Sequence, residues 1–167
     1  AYYNRLKNLI TEVQVTPTRN EMQNIAEAAL YGTEAEVTLH LTGWLKIMGN
    51  IAYTRGEDTK NNEDLPAIAP LNGFFRVNLE PLRGLWANID AVYNGSQKKV
   101  PTGTEESDQW TRFDAAAGYR FEIGGMNHEI YCAVDNVLDK EYTDYLTSSR
   151  GYIFNEPGRT YRVGYKM

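Results

Sequence analysis

From Tyr31 to Leu41 polar and apolar residues alternate. Tyr31, Ala35, Val37, Leu39 and Leu41 share one side, and Gly32, Glu34, Glu36, Thr38 and His40 share the other. Successive side chains of a strand point to opposite faces, so the run predicts a ribbon with one oily and one ionic surface. The pattern recurs along the chain. Leu45, Ile47, Ile51 and Tyr53 oppose Lys46, Asn50 and Thr54, and Leu71, Phe75, Val77 and Leu79 oppose Asn72, Arg76, Asn78 and Glu80. Further on, Leu85, Ala87, Ile89, Ala91 and Tyr93 oppose Asn88, Asp90 and Asn94. Phe113, Ala115, Ala117, Tyr119 and Phe121 then oppose Arg112, Asp114 and Arg120. Ile130, Cys132 and Val134 oppose Glu129, Tyr131 and Asp135, and Tyr161, Val163, Tyr165 and Met167 oppose Thr160, Arg162 and Lys166. With a less regular first strand from Tyr2 to Val15, and a second placed from about Ile25 to Leu41, the period predicts about eight strands.

The connections fall into two classes. Thr42-Gly43, Pro81 to Gly84 and Gly124 to Asn127 read as tight turns, whereas Arg55 to Pro70, Gly95 to Gln109 and Lys140 to Gly158 are long and polar. In an antiparallel meander alternate connections emerge at the same end, so the long loops are expected on one rim and the tight turns on the other. Outer-membrane barrels are built this way. Tyr31, Tyr53, Tyr93 and Phe113 fall on the apolar face near the long-loop rim, and Phe121 and Tyr165 near the other. Two aromatic belts of this kind suit two membrane–water interfaces.

Composition narrows the choice. A formal net charge of −5 and a pI of about 5.1 argue against nucleic acid as a partner. Mean hydropathy is −0.53 and no stretch is long and apolar enough for a membrane helix. A barrel strand needs apolar residues only at alternate positions, so neither fact opposes a membrane barrel. Cys132 is the single cysteine, and His40 and His128 lack ligand spacing, so no metal site is expected. Asp135, Asn136 and Asp139 lack the spacing of a calcium loop and read as a strand-end turn. No G-x-S-x-G, P-loop or G-x-G-x-x-G motif is present, and the expectation is a protein that is not an enzyme and carries no cofactor. The chain shows no secretory signal, so a mature chain or a piece of one is expected.

A soluble lipocalin-like ligand-binding barrel or a sandwich has the same period. A soluble barrel's outer face is charged, however, whereas here the charges fall on the side inferred to be inner.

Several segments resemble the C-terminal part of the barrel of TonB-dependent outer-membrane receptors. They are Tyr2-Tyr-Asn-Arg with Ile10, Asn24 to Val37, Asn50-Ile-Ala-Tyr-Thr-Arg, Phe113-Asp114 with Gly118-Tyr-Arg-Phe121, Val134-Asp-Asn-Val-Leu-Asp-Lys-Glu-Tyr142, and Glu156-Pro-Gly-Arg-Thr-Tyr161. Their order covers nearly the whole chain. The resemblance implies an all-β, antiparallel up-and-down transmembrane β-barrel, residues 1–167 being a section of a wall of about 22 strands without the plug domain. An autonomous eight-stranded outer-membrane barrel with a structural or adhesive role is the alternative.

The resemblance also implies a function: import of a scarce ligand such as a ferric siderophore, haem, cobalamin or another metal complex. TonB would act through the plug, and the other partners would be the rest of the barrel, outer-membrane lipid and lipopolysaccharide. Glu34, Glu36, Arg76, Asp90, Arg112 and Arg120 would face the lumen or plug. Trp110, Tyr142, Tyr145, Tyr152 and Phe154, in or beside long loops, would be candidate ligand contacts. Tyr161, Val163, Tyr165 and Met167 would form the C-terminal signal read by the barrel-assembly machinery, although the family usually ends in an aromatic residue.

Overall fold

The computed structural model describes residues 1–16, 18–148 and 155–167. It is a single antiparallel sheet. The strands are β1 (Tyr2–Thr16), β2 (Arg19–His40), β3 (Leu45–Asp58), β4 (Glu63–Asp64), β5 (Asn72–Leu82), β6 (Leu85–Asn94), β7 (Trp110–Ile123), β8 (Met126–Asp135) and β9 (Thr160–Lys166). One short helix, α1 (Tyr145–Ser148), interrupts the last connection. Each long strand pairs with the next in sequence, in the order β1-β2-β3-β5-β6-β7-β8-β9, and β4 adds only a short pairing to the end of β3. Among the described residues β1 does not pair with β9, so the sheet is an open section of a barrel wall.

Tight turns at 41–44, 83–84 and 124–125 gather on one rim. Gly84, Gly124 and Gly125 have positive φ, the backbone state that two-residue hairpins demand. The opposite rim carries the long connections 59–71 and 95–109 and the described parts, 136–148 and 155–159, of the last one.

Two boundaries differ from the sequence expectation. The second strand begins at Arg19 rather than near Ile25, and β3 continues to Asp58 where a loop was expected from Arg55. As a result β1 and β2 form a hairpin that runs past the end of β3, since residues 19–27 pair only with β1. Asn8, at φ 56, explains why alternation is poor there. The left-handed conformation resets which side the chain presents, so Leu6 and Leu9 pack on the same cluster although three positions apart.

Burial separates the faces. Val37, Leu39, Ile51, Phe75, Ile89, Ile130 and Val163 are all exposed on the apolar side. Water would not tolerate so broad an oily surface on a free monomer. The polar side instead collects the loops. Leu65 and Ile68 fold over Gly56, where a Cβ would meet Ile68 at 2.7 Å, and join Ile25 and Ala28 in a small core.

On the apolar face the rings of Tyr119, Phe121, His128 and Tyr165 stack in sequence near the tight-turn rim, with centroids 5.4–6.0 Å apart. His128 is buried between Phe121 and Tyr165, and its Nδ1 lies 2.5 Å from the Tyr165 hydroxyl. It belongs to the aromatic belt on that side. Among the described residues no helix is long and apolar enough to cross a membrane; a barrel crosses with strands.

Candidate functional site

Charged residues line the polar face because the period sends them there, and the register decides which of them meet. Arg76 and Asp90 are direct cross-strand partners, and Arg76 donates two bonds of 2.7 and 2.6 Å to the carboxylate. Next to them Asn78 donates to Asn88 at 2.8 Å. Toward the tight-turn rim Arg120 binds Glu129 at 2.8 Å and Glu80 at 3.5 Å, while Lys166 reaches Glu129 at 3.2 Å. Arg162 pairs with Asp135 at 2.7 Å. Most of the cations expected to face the lumen are therefore paired with carboxylates of neighbouring strands, which is what holds like charges apart on one face. Glu34 and Glu36 differ: both are exposed, and neither meets a cation among the described residues.

Aromatic rings fill the gaps between these pairs. Trp86 lies over Gly118 of β7, and Tyr131 lies over Gly164 of β9. Arg120 and Lys166 sit on the two rings, 5.5 and 5.1 Å from their centroids. A side chain at Gly118 would strike the Trp86 ring at 2.7 Å, so the glycine is required by the close approach.

At the long-loop rim two separate sequence motifs become one knot. Asn136, at φ 54 and 1% exposed, closes β8. Its amide N–H donates to Asp114 at 2.8 Å, its side-chain oxygen accepts from Lys140 N–H at 2.8 Å, and its side-chain nitrogen donates to the carbonyls of Lys140 and Pro157 at 2.9 and 3.3 Å. Asp139, also left-handed, accepts from Arg159 N–H at 2.7 Å. Arg112 holds Asp114 at 2.9 Å and donates to the Tyr142 hydroxyl at 3.0 Å, and Tyr142 packs on Trp110 with centroids 4.3 Å apart. The segment from Val134 to Tyr142 and the Glu156-Pro157-Gly158-Arg159 turn are thus tied to each other and to β7.

The other two long connections are tied in as well. Gln97, buried, pairs backbone to backbone with Ser107 and donates from its side chain to Ile68 carbonyl at 2.7 Å, joining loop 95–109 to loop 59–71. Burial works against the charge on Asp58, but bonds from the N–H groups of Asn61 and Lys60 and from the Asn61 side chain outweigh it and hold the carboxyl below its ordinary value. Tyr145, beside Asp64, is buried, and that burial raises its hydroxyl pKa.

The candidate ligand contacts therefore sit as follows. Trp110, Tyr142 and Tyr145 are 8, 7 and 2% exposed, inside the loop packing. Tyr152 and Phe154 lie outside the described residues. Tyr161, Val163, Tyr165 and Met167 are exposed along β9 and its end, at the sheet's open edge. Sequence reasoning missed Asn136 and Gln97 as organisers of the rim. The signal available for Asn136 was a polar residue ending an apolar-alternating strand, which by itself says only that a turn begins. Among the described residues no group of three or more His, Cys, Asp or Glu is gathered to hold a metal ion.

Comparison with known proteins agrees with this architecture. The family model described as TonB dependent receptor-like, β-barrel matches residues 1–137. The iron-regulated outer membrane virulence protein of Vibrio cholerae is 28% identical over 191 residues, covering 98% of this chain and 27% of that protein. The solved structure of the copper transporter OprC is similar with a TM-score of 0.83 at 23% identity, covering 96% of this chain and 26% of that one. The ferric enterobactin receptor PfeA of Pseudomonas aeruginosa is similar with a TM-score of 0.71 at 19% identity, covering 98% and 27%. At such identities the two structures speak for the fold. The chain spans about a quarter of the length of these relatives.

Proposed function

Because the chain belongs to the TonB-dependent receptor-like β-barrel family, whose members are transport receptors of the bacterial outer membrane, we propose that residues 1–167 are the C-terminal part of a receptor wall that imports a metal complex. Ferric siderophores are the first class to test, with haem, cobalamin and other metal complexes next. Their support lies in the names of similar proteins, an iron-regulated outer membrane protein and a ferric enterobactin receptor. We read the chain as non-catalytic.

The observation that carries this reading is the division of labour between the two faces. One face is exposed and apolar, as hydrocarbon requires. The other carries paired charges and receives three long loops at a single rim. Both sheet edges, β1 and β9, present unpaired backbone groups, and each such group costs several kcal/mol in hydrocarbon. The rest of a larger barrel would pair them.

In that frame Glu34, Glu36, Arg76, Asp90, Arg112 and Arg120 face the lumen or the plug. Glu34 and Glu36 are the ones free to meet a plug or cargo cation, whereas the paired arginines stiffen the wall. Trp110, Tyr142 and Tyr145 touch ligand only if the packed loops part. TonB acts through the plug, and the barrel-assembly machinery reads Tyr161, Val163, Tyr165 and Met167.

The test has two parts. The native protein carrying this chain should have a mass several times 19.0 kDa, and cells making it should accumulate one ⁵⁵Fe-labelled siderophore of a catecholate and hydroxamate panel only when TonB is present. A native mass of the chain alone would overturn the reading in favour of an autonomous barrel. TonB-independent accumulation would overturn the TonB-driven mechanism, and no accumulation with siderophore, haem, cobalamin or copper would overturn import.

A further inference from the structure

β9 is an open edge of the sheet, and the rows that cross its polar face stop there in mid-pattern. Register lines up Trp86, Gly118, Tyr131 and Gly164 in one row from β6 to β9. Trp86 lies over Gly118 and Tyr131 over Gly164, so both rings lean toward the following strand. Only a glycine admits this at β9, because a Cβ at Gly164 would fall on the ring and hydroxyl of Tyr131.

The same arrangement is complete at the other end of the sheet. Tyr2 faces Gly32, Gly32 faces Thr54, and the Tyr2 hydroxyl passes over the glycine to meet the Thr54 hydroxyl at 2.7 Å. A tyrosine laid across a glycine thus spans one strand and bonds to the second. Tyr131 makes the first half of such a staple. Lys166 of β9 sits over its ring, 5.1 Å from the centroid, and among the described residues its hydroxyl has no hydrogen-bond partner.

The charges beside it are cut off in the same way. Arg120, Glu129 and Lys166 are successive cross-strand partners that alternate in sign over β7, β8 and β9. Arg162, two residues before Gly164, binds Asp135. Arg162 and Lys166 remain 58 and 68% exposed, and each has N–H donors to spare. Opposite charges across strands are favourable and like charges are not, so both cations call for carboxylates on the next strand. β1 does not supply them. Tyr2, Asn4 and Leu6 alternate on the side from which Tyr2 reaches Thr54, and none is a carboxylate.

We propose that β9 pairs with a receptor strand from outside residues 1–167 whose inward residues read carboxylate, hydroxyl or amide, carboxylate at alternate positions. The carboxylates lie opposite Arg162 and Lys166, and the middle residue, opposite Gly164, accepts from the Tyr131 hydroxyl. The inference rests on the reading of this sheet as one section of a larger wall, and not on which ligand is imported.

Two measurements on the whole receptor that carries this chain test it. With benzoylphenylalanine in place of Tyr131, illumination is expected to join position 131 to one strand outside residues 1–167. The residue reached should have Asp or Glu two positions away on each side. Tyr131→Phe, which removes one oxygen and keeps the ring, should speed hydrogen exchange at the β9 amides about fivefold, the worth of one net hydrogen bond. Exchange in β5 should not change. Alanine at the cross-linked residue should have the same effect alone and none in addition to Tyr131→Phe. Adducts confined to the plug, or to a strand without the flanking carboxylates, overturn the partner. An adduct within residues 1–16 overturns it together with the larger-wall reading. Unchanged β9 exchange in Tyr131→Phe, with the adduct on the expected strand, overturns the staple and leaves the wall standing. Should the benzoylphenylalanine variant not fold, the exchange measurement decides alone, and unchanged rates overturn the proposal.

Discussion

Ile89→Arg is expected to destabilise the folded barrel in lipid vesicles by about 2–4 kcal/mol, the cost of an arginine on the lipid face near the bilayer midplane. Ile89 is 52% exposed, sits midway along β6, and its cross-strand neighbours Val77 and Ala115 are also uncharged, so nothing near it can pair a guanidinium. Asn88→Arg, one position along and on the opposite face, removes only the Asn78 hydrogen bond, about 1 kcal/mol, and places its charge on the polar face. Denaturant titration of the whole receptor in vesicles would measure both. The expected order is Ile89→Arg well below Asn88→Arg in stability, and equal losses would deny the difference between the faces.

The second large effect is expected at Asn136. Asn136→Ala leaves Lys140 N–H without its acceptor, removes the two donations to Lys140 and Pro157 carbonyls, and puts a Cβ residue with no polar side chain at φ 54. Each buried group left without a partner costs about 1–3 kcal/mol, and the left-handed conformation about 1 kcal/mol for alanine. Local opening of the last long loop should rise by about 100-fold, corresponding to about 3 kcal/mol. Limited proteolysis between β8 and β9 should report it as faster cleavage with the strands intact. Asn136→Asp keeps the acceptor for Lys140 and the tolerance of a left-handed backbone, so it should fall between. A native cleavage rate for Asn136→Ala would show that the knot does not hold the loop.

How far the sequence could be read depends on how simple each residue's surroundings are. The strands from Leu45 onward were legible because each side chain meets one of two environments, and a period of two reports that directly. The β1–β2 hairpin was less so: Asn8 changes the side presented in mid-strand, and beyond β3 the ribbon has no second neighbour to enforce alternation. The inward fold of loop 59–71 was hidden because Leu65 and Ile68 show no period, and their burial depends on the side-chain-free surface at Gly56. Asn136 was visible as part of a family-like motif but not as a buried keystone, since its partners, Asp114 and Pro157, are about 20 residues away on either side. His128 looked like any strand residue; only the register with Phe121 and Tyr165 places it in a ring stack.

The most direct measurement is the accessibility of spin labels along β2, β3 and β6 in the reconstituted receptor, with Cys132 first replaced by serine. Labels at Leu39, Ile51 and Ile89 should be relaxed by oxygen and shielded from an aqueous nickel chelate, and labels at Glu36, Asn50 and Asn88 should show less oxygen and more chelate, alternating residue by residue. The reverse phase, or chelate reaching both sets alike, would mean that acyl chains do not contact the apolar face and that this sheet is not a membrane wall.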